Sequence, residues 1–279
     1  MAKDKMQRTV IEISYDGSFF FGWQRQKDDI SIQASVENVL EKLFCRHTTV
    51  HGSGRTDAGV HAVGQVAHFN RPAEFETEKL ITALNSLLPP EIRITKIADV
   101  DSDFHSRFSA EAKKYTYIIN TNAVQTPFSG RYSLHFDQPI KLEIISKALD
   151  RLNGEKDFKH FTTPNAVGKT SIREILKTSL VHKSGFIYIS ITANGFLRYM
   201  MRAIMGTILK LAQGKISFDQ LETALNGEKI KPLPITLKTD PNGLFLVRVY
   251  YKNDPFKEGI KLPTGLMRWD LITERDKWE

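Results

Sequence analysis

Residues 51–70 read H-G-S-G-R-T-D-A-G-V-H-A-V-G-Q-V-A-H-F-N. Gly52, Gly54, Gly59 and Gly64 fall within thirteen positions, and between them stand Arg55, Thr56 and Asp57 in a row. Glycine serves positive φ and close backbone approach. A polar triplet among glycines, between β-like runs at 48–50 and 65–69, therefore predicts a tight, shaped loop. Arg55 beside Asp57 favours the ionised carboxylate. Such a group can act as nucleophile, general base or metal ligand. The plainer reading is a hairpin turn with Asp in its usual turn role. The company of Arg, Thr and two flanking His argues against that reading. The stretch is no phosphate-binding P-loop, since G-x-x-x-x-G-K-[ST] is absent.

Outward from the loop, residues 9–15 alternate with Ile11, Ile13 and Tyr15 on one face and predict a strand. Residues 18–26, S-F-F-F-G-W-Q-R-Q, are either core or the lining of a nucleic-acid groove. Ser31 is placed to cap a helix carrying Ile32, Val36, Val39, Leu40, Leu43 and Phe44 at helical spacing. A helix is expected over 77–88, stopped by Pro89-Pro90, and a strand over 92–100. The order β-α-β-β-α-β is the split β-α-β pattern. It recurs as strand 113–120, helix 140–152, strands 172–182 and 186–192, helix 196–213, a short helix 217–225 and strand 244–251. The expected class is α+β, with ferredoxin-like halves at 1–105 and 106–279. A pseudo-twofold arrangement would let them share a central, mainly antiparallel sheet, with a cleft between them. The segment after Pro255 reads as an irregular arm.

The chain has 279 residues, 41% hydrophobic and 25% charged, enough for one large domain or two small ones. The net charge of +7 suits a polyanionic partner. Cys45 is the one cysteine, which excludes a disulfide framework; at the end of an apolar stripe it reads as a small buried hydrophobe. The first residues, M-A-K-D-K, are polar, so no signal peptide is expected. No apolar run is long enough for a membrane span. The cytoplasm is the expected compartment. His47 and His51 are four apart in a strand-like run, and His61 and His68 flank the loop. Neither pair has metal-site spacing, so no metal is expected. No nucleotide-cofactor fingerprint is present either.

G-R-T-D-A-G-V-H-A followed by G-Q-V-A-H-F resembles the catalytic motif of the TruA family of tRNA pseudouridine synthases. The resemblance continues in Y-D-G-x-x-x-x-G-W-Q at 15–24 and F-H-x-R-F-S-A-x-x-K-x-Y at 104–115. It extends to N-G-F-L-R-Y-M-M-R-A-I-M-G at 194–206, which resembles the family's N-x-F-L-x-x-M-V-R-x-I-x-G with Met201 in place of the valine, and to G-L-x-L at 243–246. It implies the fold expected above, a homodimer, and conversion of uridine to pseudouridine in the anticodon stem-loop of tRNA, positions 38 to 40, without a cofactor. Asp57 is then the nucleophile, with Arg55 filling the space left by a flipped base or holding a phosphate. The resemblance places Tyr115 and a leucine, Leu244 or Leu246, against the base. Phe104, His105, Ser106, Arg107 and Phe108 would lie along the RNA. Asn165, Ala166, Val167, Gly168 and Lys169 stand in the loop that sets RNA specificity.

Arg202 is a charge on an otherwise apolar helix, rarely buried unless paired, and is expected to pair with Asp57. The chemistry of a carboxylate leaves three routes open: attack at C1′, attack on the uracil ring, or deprotonation at C2′. Three other readings remain at this stage. One is a family member acting on another structured RNA such as rRNA, and one is an RNA-binding module without activity. The third is a nucleoside or glycoside hydrolase, which in its retaining form needs a second carboxylate about 5–5.5 Å from Asp57. Glu111 and Glu174 are the acids that folding would have to bring in.

Overall fold

The computed structural model describes residues 5–163, 170–228 and 238–256. The first part of the chain forms β1 (Met6–Tyr15), α1 (Ile32–Phe44), β2 (His51–Gly52), β3 (His61–Pro72), α2 (Thr77–Leu87) and β4 (Ile92–Val100). Next come β5 (Ala110–Asn120), the one-turn α3 (Pro127–Gly130), β6 (Leu134–His135), α4 (Leu142–Leu152) and β7 (Gly154–Asp157). The last elements are β8 (Ile172–Lys183), β9 (Phe186–Ala193), α5 (Met200–Ala212), α6 (Phe218–Leu225) and β10 (Leu244–Tyr251). The class is α+β with mainly antiparallel strands. Contacts divide the chain into a unit of residues 1–111 and 245–279 and a unit of residues 112–244. The last strand thus groups with the beginning of the chain, where the sequence reading kept it with the C-terminal half.

In the first unit the strand order is β4-β1-β3, with β2 also on β3, and each of these pairs is antiparallel. This is the order of a split β-α-β unit. β1 covers one edge of β3. Along the other edge β2 pairs His68 and Ala67, while β10 runs parallel at His61 and Ala62. As the central strand, β3 is buried at every position but Asn70. α1 begins where Ser31 accepts the Ala34 N–H. It buries Ile32, Val36, Val39, Leu40 and Phe44, the expected apolar face. Leu43 is half-buried at the edge of that face.

The same helix buries Gln33 and Glu37. Glu37 accepts from Arg25 Nε at 2.7 Å, Gln33 Nε2 at 2.9 Å and the Val50 N–H at 2.9 Å. A buried carboxylate is tolerable when it is bonded so fully. Cys45 ends α1 in the left-handed conformation at φ 52° and is exposed. The helix terminates on it, so the side chain turns out of the apolar stripe, contrary to the buried position expected.

In the second unit β5 pairs β9, β9 pairs β8 and β8 pairs β7, all antiparallel, with β6 parallel to β5 at Ile119 and Asn120. α4 puts Ile145, Ala148, Leu149 and Leu152 inward and packs on α5 and β8. α5 buries ten of its thirteen residues, which makes it a core helix, not a surface one. It starts at Met200, not at Phe196, because Tyr199 sits at φ 65° and breaks the helical path. α6 opens with a capping box between Ser217 and Gln220. Residues Asn165 to Lys169 and the arm from 257 onward lie outside the described residues.

Candidate active site

Asp57 occupies the first position of a four-residue turn, its carbonyl accepting the Val60 N–H at 3.1 Å. Gly59, in the third position, has φ 77°, a value which glycine adopts without strain. Behind the turn lies the 15–23 segment. The Trp23 N–H donates to the Thr56 carbonyl at 3.1 Å, and the Tyr15 and Thr56 hydroxyls bond each other at 2.8 Å. Burial pushes the Tyr15 phenol well above its usual range, so this bond keeps its proton at all working pH values. Gly22, at φ 85°, lies so close that a Cβ there would stand 2.6 Å from the Thr56 oxygen. The Y-D-G-x-x-x-x-G-W stretch thus acts structurally, with its tyrosine, second glycine and tryptophan forming the floor of the loop. Phe20 and Trp23 are core, while Phe19 and Phe21 are exposed, so the core reading holds for only part of the aromatic run.

The start of the loop is held by Gln65. Its Oε1 accepts from the Ser53 hydroxyl at 2.7 Å and its Nε2 donates to the Gly54 carbonyl at 2.9 Å. His61 accepts the Gly17 N–H at Nδ1, 3.1 Å away, and stacks on Phe245 at 4.7 Å. The consequence for the triplet is a division of labour. Thr56 is buried as the anchor, Arg55 is exposed, and Asp57 is half-buried between them. Hydrogen bonds from Tyr15, Trp23 and Gln65 hold the loop on which Asp57 stands, as a preorganised site requires.

In the same unit, residues 104–109 form a tight turn. Ser106 is fully buried. Its N–H donates to His68 Nδ1 at 3.1 Å, its hydroxyl donates to the His51 carbonyl at 2.6 Å, and its carbonyl accepts the Tyr251 hydroxyl at 2.7 Å. Ser106 therefore holds the turn and does not face outward. Phe104 packs on Tyr251 at 5.2 Å. His105 accepts the Arg107 N–H at 3.1 Å and lies 4.3 Å from the Phe108 ring. Arg107 and Phe108 are exposed, Phe108 to 77%, with the guanidinium 5.7 Å from the ring. His68 is held neutral, its pKa pushed down to about 3 by burial first and then by the charges of His105, His51 and Arg8. An Nδ1 that accepts the Ser106 N–H cannot carry a proton as well.

In the second unit, Tyr115 on β5 is 7% exposed and meets Phe196 edge-on at 4.8 Å. Leu244 follows the tight 241–243 turn, which lies against the Tyr117 ring; the Tyr117 hydroxyl donates to the Asp240 carbonyl at 2.7 Å. Leu246, in the first unit, is wholly buried opposite Ala62. Arg202 is half-buried in the first turn of α5. Its Nε donates to the Thr239 carbonyl at 2.7 Å, and the Thr239 N–H returns a bond to the Arg202 carbonyl at 3.2 Å. Arg198, Arg202 and Lys238 surround the Tyr199 ring at 4.7, 5.8 and 3.4 Å.

Tyr15 and Gln65 entered the sequence reading only as members of the quoted motifs, with no part in holding the loop, and the Gln33–Glu37 pair did not enter it. The signal for that pair was two polar residues four apart inside an apolar stripe. Among the described residues no group of three or more His, Cys, Asp or Glu is placed to hold a metal, and no helix is long and apolar enough to cross a membrane.

The class so defined is an α+β protein with a half-buried carboxylate on a hydrogen-bonded loop and, in the same unit, an exposed arginine and phenylalanine on the 104–109 turn. A family model described as tRNA pseudouridine synthase matches residues 11–109 and 148–252. A tRNA pseudouridine synthase A of Thermodesulfovibrio yellowstonii is 39% identical over 258 residues, covering 88% of this chain and all of the relative. Proteins of the same name from a Thermoanaerobacter species and from Streptococcus thermophilus are 35% and 36% identical over 246 and 250 residues. Each covers 88% of this chain and the whole of the relative. The chain belongs to the tRNA pseudouridine synthase family.

Proposed function

We propose that this chain isomerises uridine to pseudouridine in the anticodon stem-loop of tRNA, at positions 38 to 40, with Asp57 as the catalytic carboxylate. The observation that carries the reading is the fixed Arg55-Thr56-Asp57 loop in a chain of this family. The bond from C1′ to N1 breaks, the base turns, and a bond from C1′ to C5 forms. C5 gives up a proton and N1 gains one, so the product is an isomer and nothing is consumed. A carboxylate that bonds transiently to the substrate divides this into two easier steps.

The base must first leave its stack, at a cost of a few kcal/mol. Exposed Arg55, two residues from Asp57, is suited to occupy the vacated space or hold the adjoining phosphate. Tyr115 with Leu244 or Leu246 is assigned to the two faces of the base. Arg202 is assigned to Asp57 as the cation that keeps it ionised. Arg107 and Phe108, exposed on a turn braced by buried Ser106, supply a charge for phosphate and a ring for stacking. Asn165 to Lys169 are assigned to RNA selection, the working unit to a homodimer, and the place of action to the cytoplasm.

The test is incubation of the purified chain with an unmodified tRNA transcript in EDTA, followed by mapping of pseudouridine. Isomerisation at 38 to 40 is expected. Release of free uracil would make the chain a hydrolase, and RNA bound but unchanged would make it a binding module; either result overturns the reading.

A further inference from the structure

Beside the 104–108 turn, in the first unit, lies a second basic feature that the catalytic reading does not use. It is a concavity of about 450 Å³ between β1, the far end of β3 and the 46–51 segment. Its walls carry Arg8, Arg46, His47, Thr49, His51 and Asn70, and no Asp or Glu among the described residues lines it. Neither arginine has a carboxylate partner among the described residues. Arg8 donates from Nε to Asn70 Oδ1 at 3.1 Å and from Nη1 to the Ser102 carbonyl and, at 3.0 Å, to the Phe104 carbonyl. Those partners are neutral, so the guanidinium is fixed in place with its charge uncancelled. Among the described residues Arg46 reaches the Met6 sulfur and no carboxylate. His47 has Glu41 at 3.9 Å, and both side chains are more than half exposed, a separation and setting worth little as an ion pair. A second hollow is walled by Asp99, Asp101, Asp103 and Asp254, of which Asp99 pairs with Arg71 and Asp254 with Arg248, so its excess acid comes from Asp101 and Asp103. An anion is drawn to the basic hollow and disfavoured at the acidic one.

We propose that the Arg8–Arg46–His51 concavity is a binding subsite for a backbone phosphate of the RNA substrate, engaged by the strand that passes the Arg107–Phe108 turn. The two features are physically continuous. Arg8 grips the Phe104 carbonyl, and the His51 ring lies 6.0 Å from His105, whose ring touches Phe108. Two fixed or semi-fixed guanidinium groups, two imidazoles, a threonine hydroxyl and an amide form the donor set that phosphate oxygens take up. The lining is chiefly polar and cationic, and its His51 ring is already stacked on His68 at 5.1 Å, so the concavity suits a phosphate better than a nucleobase.

The inference rests on RNA being the substrate, so the test keeps the two claims apart. Pseudouridine formation by the unaltered chain is scored first. Dissociation constants for the same tRNA are then measured across a salt series for the parent, Arg46→Gln, Thr49→Glu and, as a control of equal charge on α2, Lys79→Gln. Arg46→Gln should weaken binding several-fold and flatten the slope of log K against log salt by about 1. Thr49→Glu, which sets a carboxylate at the same spot, should weaken it further, and both variants should melt like the parent. Inorganic phosphate that competes only at tens of millimolar and above fits a backbone subsite. Saturation of the concavity by free phosphate at micromolar concentration would make it a small-anion site and overturn the RNA assignment. Unchanged affinity and slope in both variants, or an equal loss in Lys79→Gln, would overturn it too, whatever the outcome for pseudouridine.

Discussion

Gly22→Ala tests whether the loop floor controls catalysis. At φ 85° the new side chain costs about 1–2 kcal/mol in backbone strain. Its Cβ would stand 2.6 Å from the Thr56 oxygen and 3.1 Å from Ala58 N. Relief to 3.0–3.4 Å needs a shift of 3.0 − 2.6 = 0.4 to 3.4 − 2.6 = 0.8 Å. The obstacle is backbone, so the turn bearing Asp57 must move, stretching the Trp23–Thr56 bond, for about 1 kcal/mol more. The total of about 2–3 kcal/mol corresponds to a loss of about 4–12 °C in Tm for a chain of this size. A misplacement approaching 1 Å costs on the order of 100-fold in rate, so single-turnover pseudouridine formation should fall roughly 10- to 100-fold while tRNA affinity stays within a few-fold. Gly154→Ala is the matched control. Gly154 has φ 83° and no atom within 4 Å of its Cβ position, so it should show the strain and keep the rate. Equal rates in the two variants would refute the claim that Gly22 positions Asp57.

Three further outcomes follow from the same geometry. His68, with its pKa pushed down to about 3 in the folded chain against 6.5 unfolded, contributes stability that is complete above pH 6.5 and is lost as pH falls from there toward 3. In His68→Asn, which keeps an acceptor near the Ser106 N–H, the fall in unfolding free energy between pH 7 and 5 should be shallower than in the parent; parallel curves would contradict the buried neutral imidazole. Arg107→Gln should flatten the salt slope of tRNA binding by about 1 with a normal melt, whereas Ser106→Ala should lower Tm first, because its hydroxyl is buried on the His51 carbonyl; the reverse pattern would mean that the turn is oriented otherwise. Arg202→Met should cut kcat/KM at neutral pH and recover in part as pH rises, since a carboxylate deprived of its cation holds its proton to higher pH; a pH–rate profile overlaying the parent's, with a normal melt, removes Arg202 from the chemistry.

Elements governed by local rules were legible in the sequence. The 92–100 and 244–251 strands coincide with β4 and β10, and Ser31 caps α1 as its position suggested. Distant partners moved others. The strand expected over 48–50 appears only at His51–Gly52, because the Val50 N–H is taken by the buried Glu37 carboxylate instead of a strand neighbour. The helix expected from 196 waits for Met200 behind Tyr199. Glycine spacing and the polar triplet pointed to the Asp57 loop. What fixes it did not show, because Tyr15, Gly22 and Trp23 come from more than thirty residues away. Nor could a linear reading tell that Ser106 faces inward while Arg107 and Phe108 face out, since that depends on His68, 38 residues earlier.

The most direct measurement of the central claim is quantitative pseudouridine formation by Asp57→Asn on a tRNA anticodon stem-loop, beside its binding affinity. The amide preserves size and leaves the turn bond from the residue 57 carbonyl to the Val60 N–H in place, but it offers no carboxylate to the substrate. The account predicts binding within a few-fold of the parent and no detectable pseudouridine at positions 38 to 40. Near-normal turnover by the Asn variant would contradict it and remove Asp57 from the mechanism.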